Sequence, residues 1–172
     1  MTLNQEEVQT YQTDGLLFPK RALAPEEATA ALAELERYEH DTGGVVNGKW
    51  RYKSHLVFPW INRIMRLTHL LDLVEPLLGP DLMVWTSHLY PKESGDGSFI
   101  SWHQDAAHWG LHSDQIVTLW IALTPVNEGN GCMRMLRGTH RAGIVEHQDT
   151  WDPDNILTRG QTITEGIDEE QA

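Results

Sequence analysis

The apolar positions change period once along the chain. Before residue 80 they recur at helical spacing. Asn4 can cap a first helix carrying Glu6, Glu7, Val8 and Tyr11, and Asp14-Gly15 stops it. Leu16-Leu17-Phe18 is a short apolar run closed by Pro19 and reads as one strand. Pro25 opens a second helix, with Glu26 and Glu27 in the first turn, where acids suit the helix dipole. Ala28, Ala31, Leu32, Leu35 and Tyr38 form its apolar stripe, and Asp41-Thr42-Gly43-Gly44 ends it. One or two further helices fill Trp60 to Leu78, with Ile61, Ile64, Met65, Leu67, Leu70, Leu71 and Val74 as the apolar set. Gly79-Pro80 closes the region.

After Asp81, runs rich in β-branched and aromatic residues alternate with turn clusters. The pattern predicts strands over Leu82–Tyr90, Ser98–His103, Gln115–Leu123, Cys132–Leu136, Gly143–Glu146 and Gln161–Thr164. Asn130-Gly131 favours a tight reversal. The fold class expected is mainly β with N-terminal helices (α+β). A helical part over residues 1–80 packs on a sandwich or barrel over 81–172, in one domain overall. Six short strands make about half of a double-sheet jelly roll, which leaves open edges and an uncovered apolar face. The acidic end, Asp168-Glu169-Glu170-Gln171-Ala172, brings no strand back to close it, so a C-terminally truncated chain is expected.

Composition narrows the function classes. The 172 residues carry 13 Lys+Arg against 25 Asp+Glu, a net charge of -12 that repels phosphate backbones and anionic lipid. Neither nucleic acid nor membrane is therefore an expected partner. One cysteine, Cys132, cannot form an internal disulfide. The N-terminus lacks the basic and apolar regions of a signal peptide, and no apolar run reaches the roughly 18 residues of a spanning helix. A cytoplasmic location is the expectation. Nine His and seven Trp are high counts for this length.

Three His-x-Asp triplets occur: His103/Asp105, His112/Asp114 and His147/Asp149. Such a short pattern recurs by chance, so context decides. Asp114 reads as a turn residue with Ser113, and His147/Asp149 precedes the loop Trp151-Asp152-Pro153-Asp154. Only His103 and Asp105 sit on an alternating strand, where residues two apart face the same way. Imidazole and carboxylate can then meet one cation, as two thirds of the two-His, one-carboxylate arrangement that suits non-haem Fe(II). A hydrogen-bonded His–Asp pair without metal is the alternative.

The run Trp102-His103-Gln104-Asp105, then Trp109-Gly110-Leu111, Val117-Thr118-Leu119-Trp120-Ile121-Ala122-Leu123-Thr124-Pro125, Asn130-Gly131-Cys132-Met133-Arg134 and Gly138-Thr139-His140 resembles the phytanoyl-CoA dioxygenase family over roughly residues 50 to 165. The resemblance implies a double-stranded β-helix (jelly-roll, cupin-like) core. It also implies an Fe(II)-dependent oxygenase that uses 2-oxoglutarate and O2 to hydroxylate a small-molecule substrate, with ascorbate a possible accessory. His103 and Asp105 are the implied metal ligands and catalytic residues. Lys53 and Trp120 match positions at the 2-oxoglutarate, with a solvated lysine the alternative for Lys53. Trp109 is placed on the substrate side. Arg134 is read as meeting an anionic substrate, or else as an ordinary ion pair. Trp102 reads as core packing and Cys132 as a small buried residue. A carboxylate at position 105 argues for hydroxylation, because halogenation needs that position vacated for halide.

The family's second metal His and the Arg that holds the far carboxylate of 2-oxoglutarate come later than this sequence extends. No His follows His147 and no Arg follows Arg159. His140 and His147 are the local candidates to stand in, His140 resembling a family loop residue that is not a ligand. Weak Fe(II) binding and poor turnover are the expectation, since losing a direct ligand costs more than the roughly 10–100-fold typical of an outer partner. The alternative function is a catalytically inactive truncated relative acting as a binding or interaction module. A third reading is a cupin-like barrel using Zn or Mn. Substrate identity and oligomeric state are not expected from the sequence.

Overall fold

Asn4 caps the first helix reciprocally. Its Oδ1 accepts from Glu7 N–H at 2.9 Å, while its own N–H donates to Glu7 Oε2 at 2.9 Å. Helix α1 then runs over Gln5–Asp14 and ends at Gly15, as the sequence predicts. The computed structural model describes residues 2–113 and 115–172. Helix α2 spans Pro25–Thr42 with Pro25 in its first turn. It ends at Gly43, whose φ of 75° lets Gly44 N–H return to Glu39 O at 3.0 Å. Trp60 to Leu78 resolves into two helices, α3 over Pro59–Ile64 and α4 over Thr68–Leu78. On α4 the buried residues are Leu70 and Leu73, while Leu71 lies half exposed.

The chain separates into two units that interleave in sequence, each drawing on residues before and after residue 80. The first takes the chain up to Val8, then Pro19–Pro91 and Val117–Gly131. Its core joins Ala31 and Leu35 of α2, Val46, Phe58, and Trp60 and Ile61 of α3; Leu89 and Leu123 pack against it. Tyr38 meets Phe58 edge-on at 4.9 Å between ring centroids. Ser54 is fully buried and satisfies its hydroxyl by donating to Arg51 O at 2.8 Å.

The second unit takes Gln9–Phe18, Lys92–Ile116 and Cys132–Ala172. The turn over Thr139–Ala142 and the residues before it complete the end of α1. Gly138 N–H donates to Asp14 O at 2.7 Å, Arg137 pairs with Asp14 at 2.7 Å, and His140 Nε2 donates to Gln12 O at 3.0 Å. Strands β1, Gln148–Asp149, and β2, Gln161–Thr162, pair antiparallel with Gln148 opposite Thr162.

The remaining predicted strands form no ladder among the described residues. Leu16–Phe18, Gln115–Leu123, Cys132–Leu136 and Gly143–Glu146 carry no strand. Leu82–Tyr90 contributes one isolated bridge, His88 to Tyr52, and Ser98–His103 one, Phe99 to Asn155. Only the sixth, Gln161–Thr164, is realised in part, as β2. Alternation reports which side chains share a face; a ladder also needs a partner backbone in register, which alternation does not supply. Large apolar side chains of these segments lie exposed, among them Met83, Trp85, Leu119, Met133 and Ile144. Among the described residues no helix is long and apolar enough to cross a membrane.

Candidate functional site

The segment before His103 is pinned by a buried polar lattice. Phe99 N–H donates to Asp154 O at 3.0 Å and Ile156 N–H to Phe99 O at 2.8 Å. Ile163 N–H reaches Trp102 O at 2.8 Å. Ser101 Oγ donates to Gln161 O at 2.5 Å and accepts from Asn155 Nδ2 at 2.8 Å. Asn155 and Gln161 are both buried, so these bonds fix the backbone away from competing water.

Gln104 is extended, with φ −116° and ψ 121°, and it precedes a single 3-10 turn over Asp105–Ala107. One extended residue turns its two neighbours to the same side. His103 Nε2 and Asp105 Oδ1 consequently stand 3.4 Å apart. His103 Nδ1 donates to Ser101 O at 2.8 Å, which leaves Nε2 as the bare nitrogen of the neutral ring. Burial by itself would push the His103 pKa down; Asp105 and the Ser101 carbonyl outweigh it, and the net shift is upward. A bare nitrogen facing a carboxylate oxygen needs positive charge between them, either a proton or a metal ion. The 3.4 Å gap is wide for a charge-assisted hydrogen bond of roughly 2.7–2.9 Å. It matches the span of two donors each about 2.0–2.2 Å from one cation. The pair therefore fits two positions on an Fe(II)-type ion. Among the described residues, no group of three His, Cys, Asp or Glu side chains is placed to hold a metal.

Of the two histidines considered as stand-ins, His147 has both ring nitrogens engaged. His147 Nδ1 donates to Val145 O at 2.9 Å, and its Nε2 accepts from Gln104 N–H at 2.9 Å. No lone pair is left on its ring. His140 spends Nε2 on Gln12 O, with its ring against Gly15. His108 meets His147 edge-on at 4.9 Å; burial, then His147, Arg159 and His103, lower its pKa and outweigh Asp149. In the third triplet, Asp149 pairs with Arg159 at 3.0 Å. Asp114 of the second lies outside the described residues.

Arg134 makes the ion pair weighed for it from sequence. Its guanidinium donates to Glu169 Oε2 at 2.9 Å and to the Glu169 carbonyl, and it lies 5.7 Å from the Trp102 ring centroid. Trp102 Nε1 also donates to Glu169, at 3.1 Å. Trp109 is half-buried in the same unit. Lys53 and Trp120 belong to the other unit. Lys53 holds a left-handed conformation, φ 49°, and its ammonium sits 4.9 Å from the Trp85 ring centroid. The Trp120 side chain is 45% exposed. Sequence reading missed Ser101, Gln104, Asn155 and Gln161, whose roles are hydrogen bonds to backbone and carry no motif.

The family model described as phytanoyl-CoA dioxygenase (PhyH) matches residues 11–172. An ectoine dioxygenase of Bordetella parapertussis is 29% identical over 157 residues, covering 83% of this chain and 51% of its own. The L-proline trans-4-hydroxylase of Streptomyces griseoviridis is 35% identical over 88 residues, 49% of this chain and 33% of that protein. Among solved structures, the non-heme monooxygenase ThoJ in its apo form superimposes with a TM-score of 0.76 at 36% identity, covering 95% of this chain and 61% of its own. Its nickel complex gives 0.69 at 38% identity, covering 81% of this chain and 59% of its own. The chain spans about half the length of the ectoine dioxygenases it matches.

Proposed function

The chain belongs to the phytanoyl-CoA dioxygenase family, and from that membership we propose that it carries the metal-binding pair of an Fe(II)/2-oxoglutarate-dependent dioxygenase that hydroxylates a small organic substrate. The observation that carries the reading is His103 Nε2 and Asp105 Oδ1 at 3.4 Å, with Nδ1 anchored on Ser101 O. Relatives named as dioxygenases and hydroxylases, and a structural neighbour solved with nickel, support it. When bound, iron and 2-oxoglutarate together with O2 supply the oxidation, the cosubstrate leaving as succinate and CO2.

The chain's own residues do the following. Ser101 O holds the His103 tautomer, so that Nε2 faces Asp105. Asp105 supplies the anionic ligand, and as a carboxylate it keeps that position from halide, which supports hydroxylation. Lys53 and Trp120 are assigned to the cosubstrate, and Trp109 to the substrate side, on the family resemblance. A jelly-roll core completes the reading, and the single free thiol, Cys132, supports a cytoplasmic setting.

Calorimetry of the 172-residue protein with 2-oxoglutarate, in the presence and absence of Mn(II) as a redox-silent substitute, tests the proposal. Binding that requires metal and vanishes in His103→Ala is expected. Succinate release with Fe(II) and ascorbate is the second readout. Micromolar binding of a small ligand without metal, unchanged by His103→Ala, overturns it in favour of a metal-free binding module.

A further inference from the structure

Gln104, between the two proposed ligands, is held on three sides by one stretch of chain. Its backbone N–H donates to His147 Nε2 at 2.9 Å. Its carboxamide Nε2 donates to Gly143 O at 2.9 Å, and its Oε1 accepts from Val145 N–H at 2.9 Å. His147 is itself locked, because Nδ1 donates to Val145 O at 2.9 Å and the acceptor at Nε2 is thereby defined. The four bonds close a small ring, in which residues 143–147 grip both the backbone and the side chain of residue 104.

The grip bears on the pair. His103 and Asp105 share a side only because Gln104 is extended at φ −116° and ψ 121°. A rotation about either torsion of Gln104 swings one ligand away from the other. The His147 acceptor opposes such a rotation by fixing the direction of the Gln104 N–H. The carboxamide bonds oppose it from the other end of the residue. We propose that His147 and the Gln104 carboxamide form a clamp that sets the His103–Asp105 separation for one divalent cation, so that His147 is a positioning residue and not a ligand. This rests on the metal reading above.

The clamp explains a histidine here better than another polar residue. An acceptor and a donor must lie on opposite edges of one rigid ring, one aimed at Gln104 N–H and the other at Val145 O. Neutral imidazole offers both at once. Gln can present an acceptor to Gln104 N–H, whereas Leu presents nothing.

Two readouts on His147→Leu, His147→Gln and Gln104→Ala test the proposal. The first is amide hydrogen exchange at Gln104 in the metal-free protein. The second is Co(II) affinity followed by its visible absorption. His147→Leu is expected to speed Gln104 exchange by at least ten-fold and to weaken Co(II) by roughly 10–100-fold, the range for outer partners of metal ligands. His147→Gln is expected to recover most of both. Gln104→Ala, which keeps the His147 bond and is the milder variant should His147→Leu unfold, is expected to weaken Co(II) several-fold. Unchanged exchange in His147→Leu overturns the clamp. Faster exchange with unchanged Co(II) affinity overturns its role at the pair. If wild type binds Co(II) no better than His103→Ala, the metal reading fails and the positioning role with it, while the exchange data still report whether the grip exists.

Discussion

Asp105→Asn separates a metal pair from a structural ion pair, because the two readings predict opposite phenotypes. The substitution keeps shape and removes charge. As a ligand, Asp105 contributes directly to the ion, so its loss is expected to exceed the roughly 100-fold upper range for outer partners, or about 2.8 kcal/mol and more at 1.4 kcal/mol per decade. The effect on folding is expected to be small. The native His103–Asp105 gap is 3.4 Å, and the side chains are 24% and 43% exposed, so solvent screens the pair to roughly 0–1 kcal/mol. In the variant, the introduced carboxamide nitrogen faces the bare His103 Nε2 and can donate to it, a neutral bond worth about 1 kcal/mol. Net stability is therefore expected to move by less than about 1 kcal/mol. The assay is a Co(II) or Mn(II) titration beside urea unfolding of metal-free protein. Metal affinity unchanged in the variant would refute the metal reading and leave a solvent-screened structural His–Asp pair.

Two other perturbations probe the scaffold. Asn155→Ala deletes the donor to Ser101 Oγ at 2.8 Å and the acceptor of Leu157 N–H at 3.1 Å, inside a site 8% exposed. A loss of roughly 2–4 kcal/mol in urea unfolding is expected, and a loss under about 1 kcal/mol would mean the lattice does not anchor residues 99–103. His55 has its pKa lowered, by burial first and then by the nearby Lys53 charge, and it is bonded to Ser87 Oγ at 2.8 Å. A lowered folded-state pKa means that the unfolded chain binds the proton more readily. Its contribution to stability is then complete above the unfolded value of about 6.5 and is lost as pH falls through the folded one. Urea midpoints taken between about pH 8 and 5 should show this decline, and His55→Gln should flatten it; an unchanged slope in the variant would assign the decline to other groups.

The helices were legible because each signal for them is local. Asn4, Pro25, Gly43 and Gly79 mark boundaries through their own backbone chemistry, and the structure stops or starts a helix at each. The strands were not, because a strand is a relation between two segments. Leu82–Tyr90 and Gln115–Leu123 alternate well, yet alternation is satisfied by any extended chain with one drier side. The ladder that does form, Gln148–Asp149 with Gln161–Thr162, is two residues long and mostly polar, with no apolar period to announce it.

The closeness of His103 and Asp105 stayed legible where the strand beneath them did not, and the reason is the size of the unit each needs. Two side chains at i and i+2 share a side whenever the residue between them is extended. Gln104 alone meets that condition, with a 3-10 turn starting at the very next residue. The His-x-Asp reading thus needed one residue's torsions, while the sheet reading needed a partner segment many residues away. The same contrast explains why the role of His147 was not legible. It stood in sequence only as a local candidate for a missing third ligand, whereas its ring serves the backbone of residue 104 across 43 positions of sequence. A bond to a main-chain N–H leaves no trace in the identity of the donor residue. It becomes visible only when both ring nitrogens of the histidine are accounted for, and that accounting leaves the His147 ring no lone pair to offer a metal.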